Sequence, residues 1–124
     1  DYFVHSIIPI FVLVISPNGG EELVVGQTYE IQWYASGVDR VNILLCAKEP
    51  NACGYIPGSS AEWVDASFGK FSWYIDANDG NFSKDSFIPN DALKIMIEGV
   101  AAQTIGFVRD QSDAYFRVVG QNKF

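Results

Sequence analysis

The side chains that most often carry out catalysis are scarce in this chain. His5 is the only histidine among 124 residues, and it lies in an apolar stretch without a serine or cysteine arrangement of a known catalytic type. A nucleophile needs an adjacent base, so the sequence argues against a hydrolytic triad. The 15 acidic residues offer many carboxylate pairs, but solvated surface acids are the commoner explanation for them. We therefore predict a protein that is not an enzyme and uses no cofactor.

The densest set of metal-ligand oxygens lies in residues 76–85, DANDGNFSKD. Gly80 is fifth from Asp76, whereas an EF-hand places its glycine sixth. Asp, Asn, Gly and Ser also dominate ordinary turns, so we predict no metal site and keep calcium as the alternative. The calcium ligands would be Asp76, Asn78, Asp79 and Asp85. The same segment carries an N-glycosylation sequon at Asn81.

Cys46 and Cys53 are the only cysteines, and they bracket a segment that contains Pro50 and Asn51. This spacing lets the pair bridge the ends of a turn, and a disulfide there indicates an oxidising compartment. The alternative is a pair of free thiols in a reducing compartment. A zinc site is disfavoured because it needs four ligands, and His5 is distant in sequence.

Aromatic side chains outside the core could stack on the flat face of a sugar. Trp63 is the first candidate because it falls outside the alternating apolar positions, and Tyr55 and Tyr74 are further candidates. The competing interpretation is that Trp63 packs along a sheet edge, since large aromatic side chains are mostly buried.

The elements that position these side chains are predicted to be strands. From Leu13 onward, apolar residues alternate with polar ones in short runs, and the runs are separated by Gly, Asn, Asp, Ser and Pro. We predict an all-β, immunoglobulin- or fibronectin-III-like antiparallel β-sandwich of about seven strands. The predicted inward residues are Tyr29, Ile31, Trp33 and Ala35; Val41, Ile43 and Leu45; Phe71, Trp73 and Ile75; and Leu93, Ile95 and Ile97.

The first nine residues are an apolar extension ahead of this sandwich, which occupies residues 10–124. The run is too short for a membrane-spanning helix and lacks the basic residues that lead a secretory signal, so we expect Asp1 to follow a processing site. Pro9 cannot donate to a sheet ladder and separates the extension from the first strand, residues 10–15. We predict that the extension adds as a strand to another copy of the chain; the alternative is that it lengthens its own sheet. The donor residues would be Tyr2, Phe3, Val4, Ile7 and Ile8.

Charge narrows the range of partners. The formal net charge is −7 and the pI is about 4.4, so the protein repels nucleic-acid phosphates and anionic lipid headgroups. We expect no nucleic-acid partner and no membrane span.

Residues 15–45 carry a pattern that resembles a known family. The pattern is Pro17-Asn18-Gly19-Gly20-Glu21, then Gly26-Gln27-Thr28, then Ile31 and Trp33, then Val41 and Ile43; it continues at Gly69, Phe71 and Trp73. It is similar to the secreted β-sandwich family of fungal cell-wall β-glucan assembly proteins and Ser/Thr-rich GPI-anchored proteins, which has bacterial and archaeal surface-protein members. The resemblance covers about residues 12–119, with one extra residue between Asp113 and Phe116. It implies a secreted, non-catalytic module whose motif residues are structural: glycines in turns, and Trp33 and Trp73 between the sheets.

These observations lead to one expected function and one alternative. We expect an extracellular structural or adhesive surface protein, a pilus-like filament subunit that joins head to tail with other copies through its N-terminal strand. The alternative is a carbohydrate-binding module for cell-wall or matrix polysaccharide.

Overall fold

The computed structural model describes residues 9–48, 51–56, 63–75, 90–101 and 106–120. The predicted donor residues, the calcium candidates and Asn81 lie outside these ranges. Ten strands and one short 3-10 helix, Ala66–Phe68, occur in the described part of the chain. The strands are β1 (Phe11–Ser16), β2 (Glu22–Val24), β3 (Thr28–Ser36), β4 (Arg40–Ala47), β5 (Ala52–Tyr55), β6 (Val64–Asp65), β7 (Lys70–Tyr74), β8 (Asn90–Val100), β9 (Val108–Gln111) and β10 (Phe116–Val119).

The strands form two sheets that pack face to face, so the predicted all-β sandwich is confirmed. The smaller sheet has the order β1-β3-β7. The larger sheet has the order β2-β10-β8-β4-β5, with β6 also paired to β4 and β9 also paired to β8. This division into two sheets and its strand order are those of an immunoglobulin-like fold.

The strand count differs from the predicted seven because three strands are interrupted. β1 and β2 are two parts of the first strand, which changes sheets between them. β5 and β6 flank the same side of β4, and β9 and β10 flank the same side of β8. Counting each interrupted strand once gives seven. All pairs are antiparallel except β2 with β10, which run parallel because the chain crosses between sheets without reversing direction.

The core lies between the sheets and contains most of the predicted inward residues. Ile31, Trp33, Val41, Ile43, Leu45, Trp73, Ile75, Leu93, Ile95 and Ile97 are all buried. Tyr29, Ala35 and Phe71 are only partly buried. β4 is buried on both faces, since the outward Asn42 and Leu44 are 5% and 8% exposed at the centre of the larger sheet.

Candidate functional site

The outer face of the smaller sheet carries an exposed apolar row: Leu13, Ile15 and Tyr34. These side chains are 49%, 51% and 57% exposed. They face outward because β1 alternates, with Val12 and Val14 in the core. Leu13 lies directly opposite Tyr34 in the β1–β3 ladder, and the rings of Phe11 and Tyr34 are 5.8 Å apart. Apolar side chains grouped on one face mark a surface suited to a protein partner.

The free side of β1 is closed to strand addition. β9 packs beside β1, and the backbone N–H of Val14 donates to Asp110 Oδ2 at 2.8 Å. A carboxylate that occupies an edge N–H prevents that group from pairing with another strand. This side of the smaller sheet therefore has no place for an added strand.

On the opposite side of the smaller sheet, no described strand lies beyond β7, and we call this side of β7 the open edge. Among the described residues, β7 pairs only with β3. The backbone of Gly69 accepts from Trp33, and the N–H of Ile75 donates to Gln27, so the odd-numbered residues of β7 point towards β3. Backbone groups alternate along a strand, and those of Ser72 and Tyr74 consequently point to the open edge.

Phe71 lies at the border of the described core beside β7. Phe71 points inward and packs against the core, yet it is only partly buried. The constant-type immunoglobulin sandwich has a four-stranded sheet here, of which the described residues supply three strands. One strand position beside β7 is thus unfilled by the described part of the chain.

The N-terminal segment is attached at the end of the smaller sheet. The Ser36 hydroxyl donates to the carbonyl of Pro9 at 2.7 Å. Gly37 follows with φ 68°, and a Cβ on it would lie 3.1 Å from the Pro9 oxygen. The turn after β3 therefore fixes Pro9, the first residue that the structure describes.

The Pro-Asn-Gly-Gly-Glu segment is structural. The Glu21 carboxylate accepts from the backbone N–H groups of Asn18 and Gly19 at 2.9 and 2.8 Å. The Asn18 side chain exchanges two hydrogen bonds with Asp113, at 2.9 and 2.8 Å. A Cβ on Gly19 would lie 2.6 Å from the Cβ of Ala114. Gly19 has a positive φ of 142°, as expected for a glycine in a turn. The segment thus connects the point where the first strand changes sheets to the residues between β9 and β10.

The predicted glycan-contact residues do not form one platform. Tyr55 ends β5 of the larger sheet and Trp63 directly precedes β6 of that sheet, whereas Tyr74 is 56% exposed on the smaller one. Trp63 is stacked on Phe107 with centroids 6.0 Å apart, and the Arg40 guanidinium lies 5.7 Å from its ring centre. Trp63 is thus partly covered by its own neighbours.

The predicted disulfide is confirmed. Cys46 and Cys53 are directly opposite each other in the β4–β5 ladder and are joined as a disulfide. The bond fastens the edge of the larger sheet to its central strand.

A groove that sequence reasoning missed opens above this disulfide. Its volume is about 260 Å³, and we call it the Tyr115 groove. The Tyr115 ring is 40% exposed, and the ammonium groups of Lys94 and Lys48 lie 4.7 and 5.9 Å from its centre. The residues that define it are Cys46, Lys48, Cys53, Lys94, Gln111 and Tyr115. The signal that could have located this groove is the register between β4 and β8, which places Lys94 directly opposite Cys46.

Asp65 is the one described titratable group with a clear shift. The side chain of Ser67, followed by its backbone N–H, donates to the Asp65 carboxylate and lowers the pKa of this group below its ordinary value near 3.8. Asp65 caps the short 3-10 helix, so the shift has a structural cause.

In the part of the chain that the structure describes, no group of three or more His, Cys, Asp or Glu side chains could hold a metal ion. None of the helices there has the length and apolarity that crossing a membrane requires.

Comparisons with known proteins give no family for the chain. No protein-family model matches it, and no curated protein or solved structure is significantly similar to it. The resemblance described above therefore stays a prediction that rests on its motif residues.

Proposed function

We propose that the protein is a non-catalytic structural module of an extracellular surface that joins other copies of itself into a head-to-tail filament. The apolar N-terminal segment of one copy, residues 1–8, adds as a strand along the open edge of β7 in the next copy. A contact between two different surfaces of the same chain repeats without closing, which produces a filament.

The observation that carries this proposal is the strand position beside β7 that no described residue fills. Backbone N–H and C=O groups at such an edge provide the affinity in strand addition, and alternating side chains provide the specificity. Ser72 and Tyr74 present their backbone groups there, and the partly buried Phe71 offers apolar surface to the inward side chains of an added strand.

The composition of the N-terminal segment fits that position. Residues 2–8, YFVHSII, are apolar except at His5 and Ser6. A strand beside β7 would present alternate members of this set to the core, so Tyr2, Val4 and Ile8 or Phe3 and Ile7 would cover the area around Phe71. The exposed apolar row on the same sheet gives the filament a further lateral contact.

The disulfide supports the extracellular part of the proposal. Disulfides form and persist mainly in oxidising environments, and Cys46 and Cys53 are joined. The resemblance to secreted surface-protein domains is consistent with this location.

The first test removes either partner of the contact. Deletion of residues 1–8 removes the donor strand, and Ser72→Pro removes a backbone donor at the open edge. Both variants should be monomers by sedimentation velocity, whereas the full chain should form polymers that are visible by electron microscopy. Circular dichroism checks folding, which should survive because the described core begins at Val12.

The matched control is Ser72→Val, which keeps the backbone N–H and has a high strand propensity. It should polymerise like the unchanged chain. Tyr74→Pro, at the next edge-facing position, is a second blocking variant in case Ser72→Pro fails to fold. Polymers that persist without residues 1–8, or an unchanged chain that stays monomeric at all concentrations, would contradict the proposal.

A carbohydrate-binding module is the second candidate function. It is favoured by the positions of Tyr55, which ends β5, and Trp63, which directly precedes β6, because β5 and β6 both pair with β4. Retention of the protein on insoluble cell-wall glycan, and its loss on Trp63→Ala, would support this candidate; failure of the unchanged chain to be retained would remove Trp63 as its site.

A further inference from the structure

Two cations of this acidic protein have no anionic partner among the residues that the structure describes. Of the described basic residues, Lys70, Arg109 and Arg117 pair with glutamates, and Arg40 lies over Trp63. Lys48 and Lys94 remain. Both converge on Tyr115, where, among the described residues, neither pairs with a carboxylate.

The surroundings of these two lysines contain no described acid that could neutralise them. The described residues that line the Tyr115 groove include no Asp or Glu. Of the acids on β8 whose side chains the structure describes, Glu98 is four residues from Lys94, and Arg109 already holds it at 2.9 Å. Among the described side chains, the groove is thus a local positive site on a protein whose formal net charge is −7.

We propose that the Tyr115 groove binds a carboxylate-bearing sugar unit of an acidic polysaccharide. The carboxylate lies between the ammonium groups of Lys48 and Lys94, which form charge-assisted hydrogen bonds with it. The side-chain amides of Gln111 and Asn51 line the same groove and serve the ring hydroxyls as donors and acceptors.

The shape of the groove favours a sugar over an acidic peptide. The exposed part of the Tyr115 ring provides a flat apolar surface against which the C–H face of a pyranose packs. The groove volume of about 260 Å³ lies just below the range of pockets that hold drug-sized ligands, about 300–1,000 Å³. This size suits a single sugar unit. The strand backbone and the disulfide hold the groove in place before the ligand arrives, and this preorganisation lowers the entropic cost of binding.

The overall negative charge limits this binding without preventing it. At physiological ionic strength, charges farther away than about 8 Å are largely screened, so a bound carboxylate interacts mainly with the two lysines beside it. The affinity should consequently fall with added salt, because the contact is ionic.

The test uses three acidic hexasaccharides, made of galacturonate, of mannuronate, and of glucuronate alternating with a neutral sugar. The methyl ester of the galacturonate hexasaccharide is the uncharged control. Isothermal titration should detect binding of at least one acidic hexasaccharide and none of the methyl ester. Lys94→Ala and Lys48→Ala should each weaken binding roughly tenfold, the effect of losing one charge-assisted hydrogen bond. Tyr115→Ala should weaken it more than Tyr115→Phe, which keeps the ring.

The matched control is Lys70→Ala, which removes the same charge from the other sheet at a side chain that is 66% exposed. It should leave the affinity unchanged. The proposal is wrong if no acidic hexasaccharide binds, if Lys70→Ala weakens binding as much as Lys94→Ala, or if a hexaglutamate peptide binds as tightly as the sugar. The site rests on the second candidate function, carbohydrate binding, and names its ligand class. It does not depend on strand donation, so binding is measured both with the full chain and with the chain that lacks residues 1–8.

Discussion

The two sheets of this sandwich share one core but differ in what they present to solvent. The smaller sheet has a row of exposed apolar side chains, Leu13, Ile15 and Tyr34, and an open edge at β7. The larger sheet has a disulfide and two lysines beside Tyr115. The first surface suits a strand from another protein copy, and the second suits a small charged ligand.

The proposed assembly and the proposed ligand recognition therefore use different sheets of one small domain. An added strand needs an edge, which the smaller sheet leaves open. A ligand groove needs fixed side-chain positions, which the central strands and the disulfide of the larger sheet provide. The following predictions test whether the two sheets are one folding unit with two separable surfaces.

The largest expected effect comes from Trp73, which is 1% exposed on β7. Trp73→Ala should lower the free energy of unfolding by about 3–5 kcal/mol, because it leaves a cavity between the sheets. Denaturant unfolding followed by circular dichroism measures this loss. Hydrogen exchange of the backbone amides of β8, on the other sheet, should be accelerated as much as that of the β7 amides. The neighbouring exposed Tyr74→Ala is the control and should change stability by no more than about 0.5 kcal/mol. Loss of the smaller sheet alone would show that the sheets fold separately.

Removal of the disulfide should have the next largest effect. Cys46→Ser combined with Cys53→Ser should lower stability by about 2.5 kcal/mol, the chain-entropy value for so short a loop. Sugar binding at the Tyr115 groove should weaken, while polymers should persist because β7 is unchanged. Chemical denaturation and sedimentation velocity measure the two results. Loss of polymers in a folded double variant would argue against separable surfaces.

Substitution of Ser112 should lower the free energy of unfolding by a somewhat smaller amount. This residue is 1% exposed; its hydroxyl donates to the Pro17 carbonyl at 2.6 Å and accepts from the Ile95 N–H at 3.0 Å. Ser112→Ala should cost about 2 kcal/mol because it leaves these buried groups without a partner. Thermal unfolding measures the loss, and Ser72→Ala at an exposed site serves as the control. An unchanged melting temperature would show that water replaces the hydroxyl.

Substitution of Asp65 should change the free energy of unfolding least. Its pKa is lowered in the folded state, so the ionised carboxylate favours folding at pH values above its ordinary pKa, and that contribution is lost as pH falls through the lower folded value. Asp65→Asn should therefore slightly reduce stability at neutral pH and have less effect below pH 3.8. Thermal unfolding of both proteins across this interval measures the difference. A difference that grows as the pH falls would contradict the assignment.

Local alternation was sufficient to predict most of the core but not the division of strands between sheets. Ile43, Trp73 and Ile95 were predicted to face inward, and they are buried, because period-two alternation and burial on one face have the same cause. The same pattern could not show that β1 and β2 belong to different sheets. That crossing depends on Glu21, Asn18 and Asp113, and Asp113 is far from the others in sequence.

The candidate sites were less predictable because they depend on cross-strand register. The pairing of Cys46 with Cys53 could be predicted from one short turn. Alternation shows that Tyr74 is outward but not that it lies on a different sheet from Trp63. The convergence of Lys48 and Lys94 on Tyr115 joins three separate segments, so no local pattern indicates it.

The most direct test of strand donation is to mix two variants that each lack one half of the contact. The chain without residues 1–8 keeps the open edge, and Ser72→Pro keeps the donor strand. Sedimentation velocity should show each variant alone as a monomer and the mixture as a one-to-one dimer that grows no further, because neither remaining end can pair. A mixture that contains only folded monomers, or a dimer that also forms without residues 1–8 on either chain, would contradict strand donation at β7.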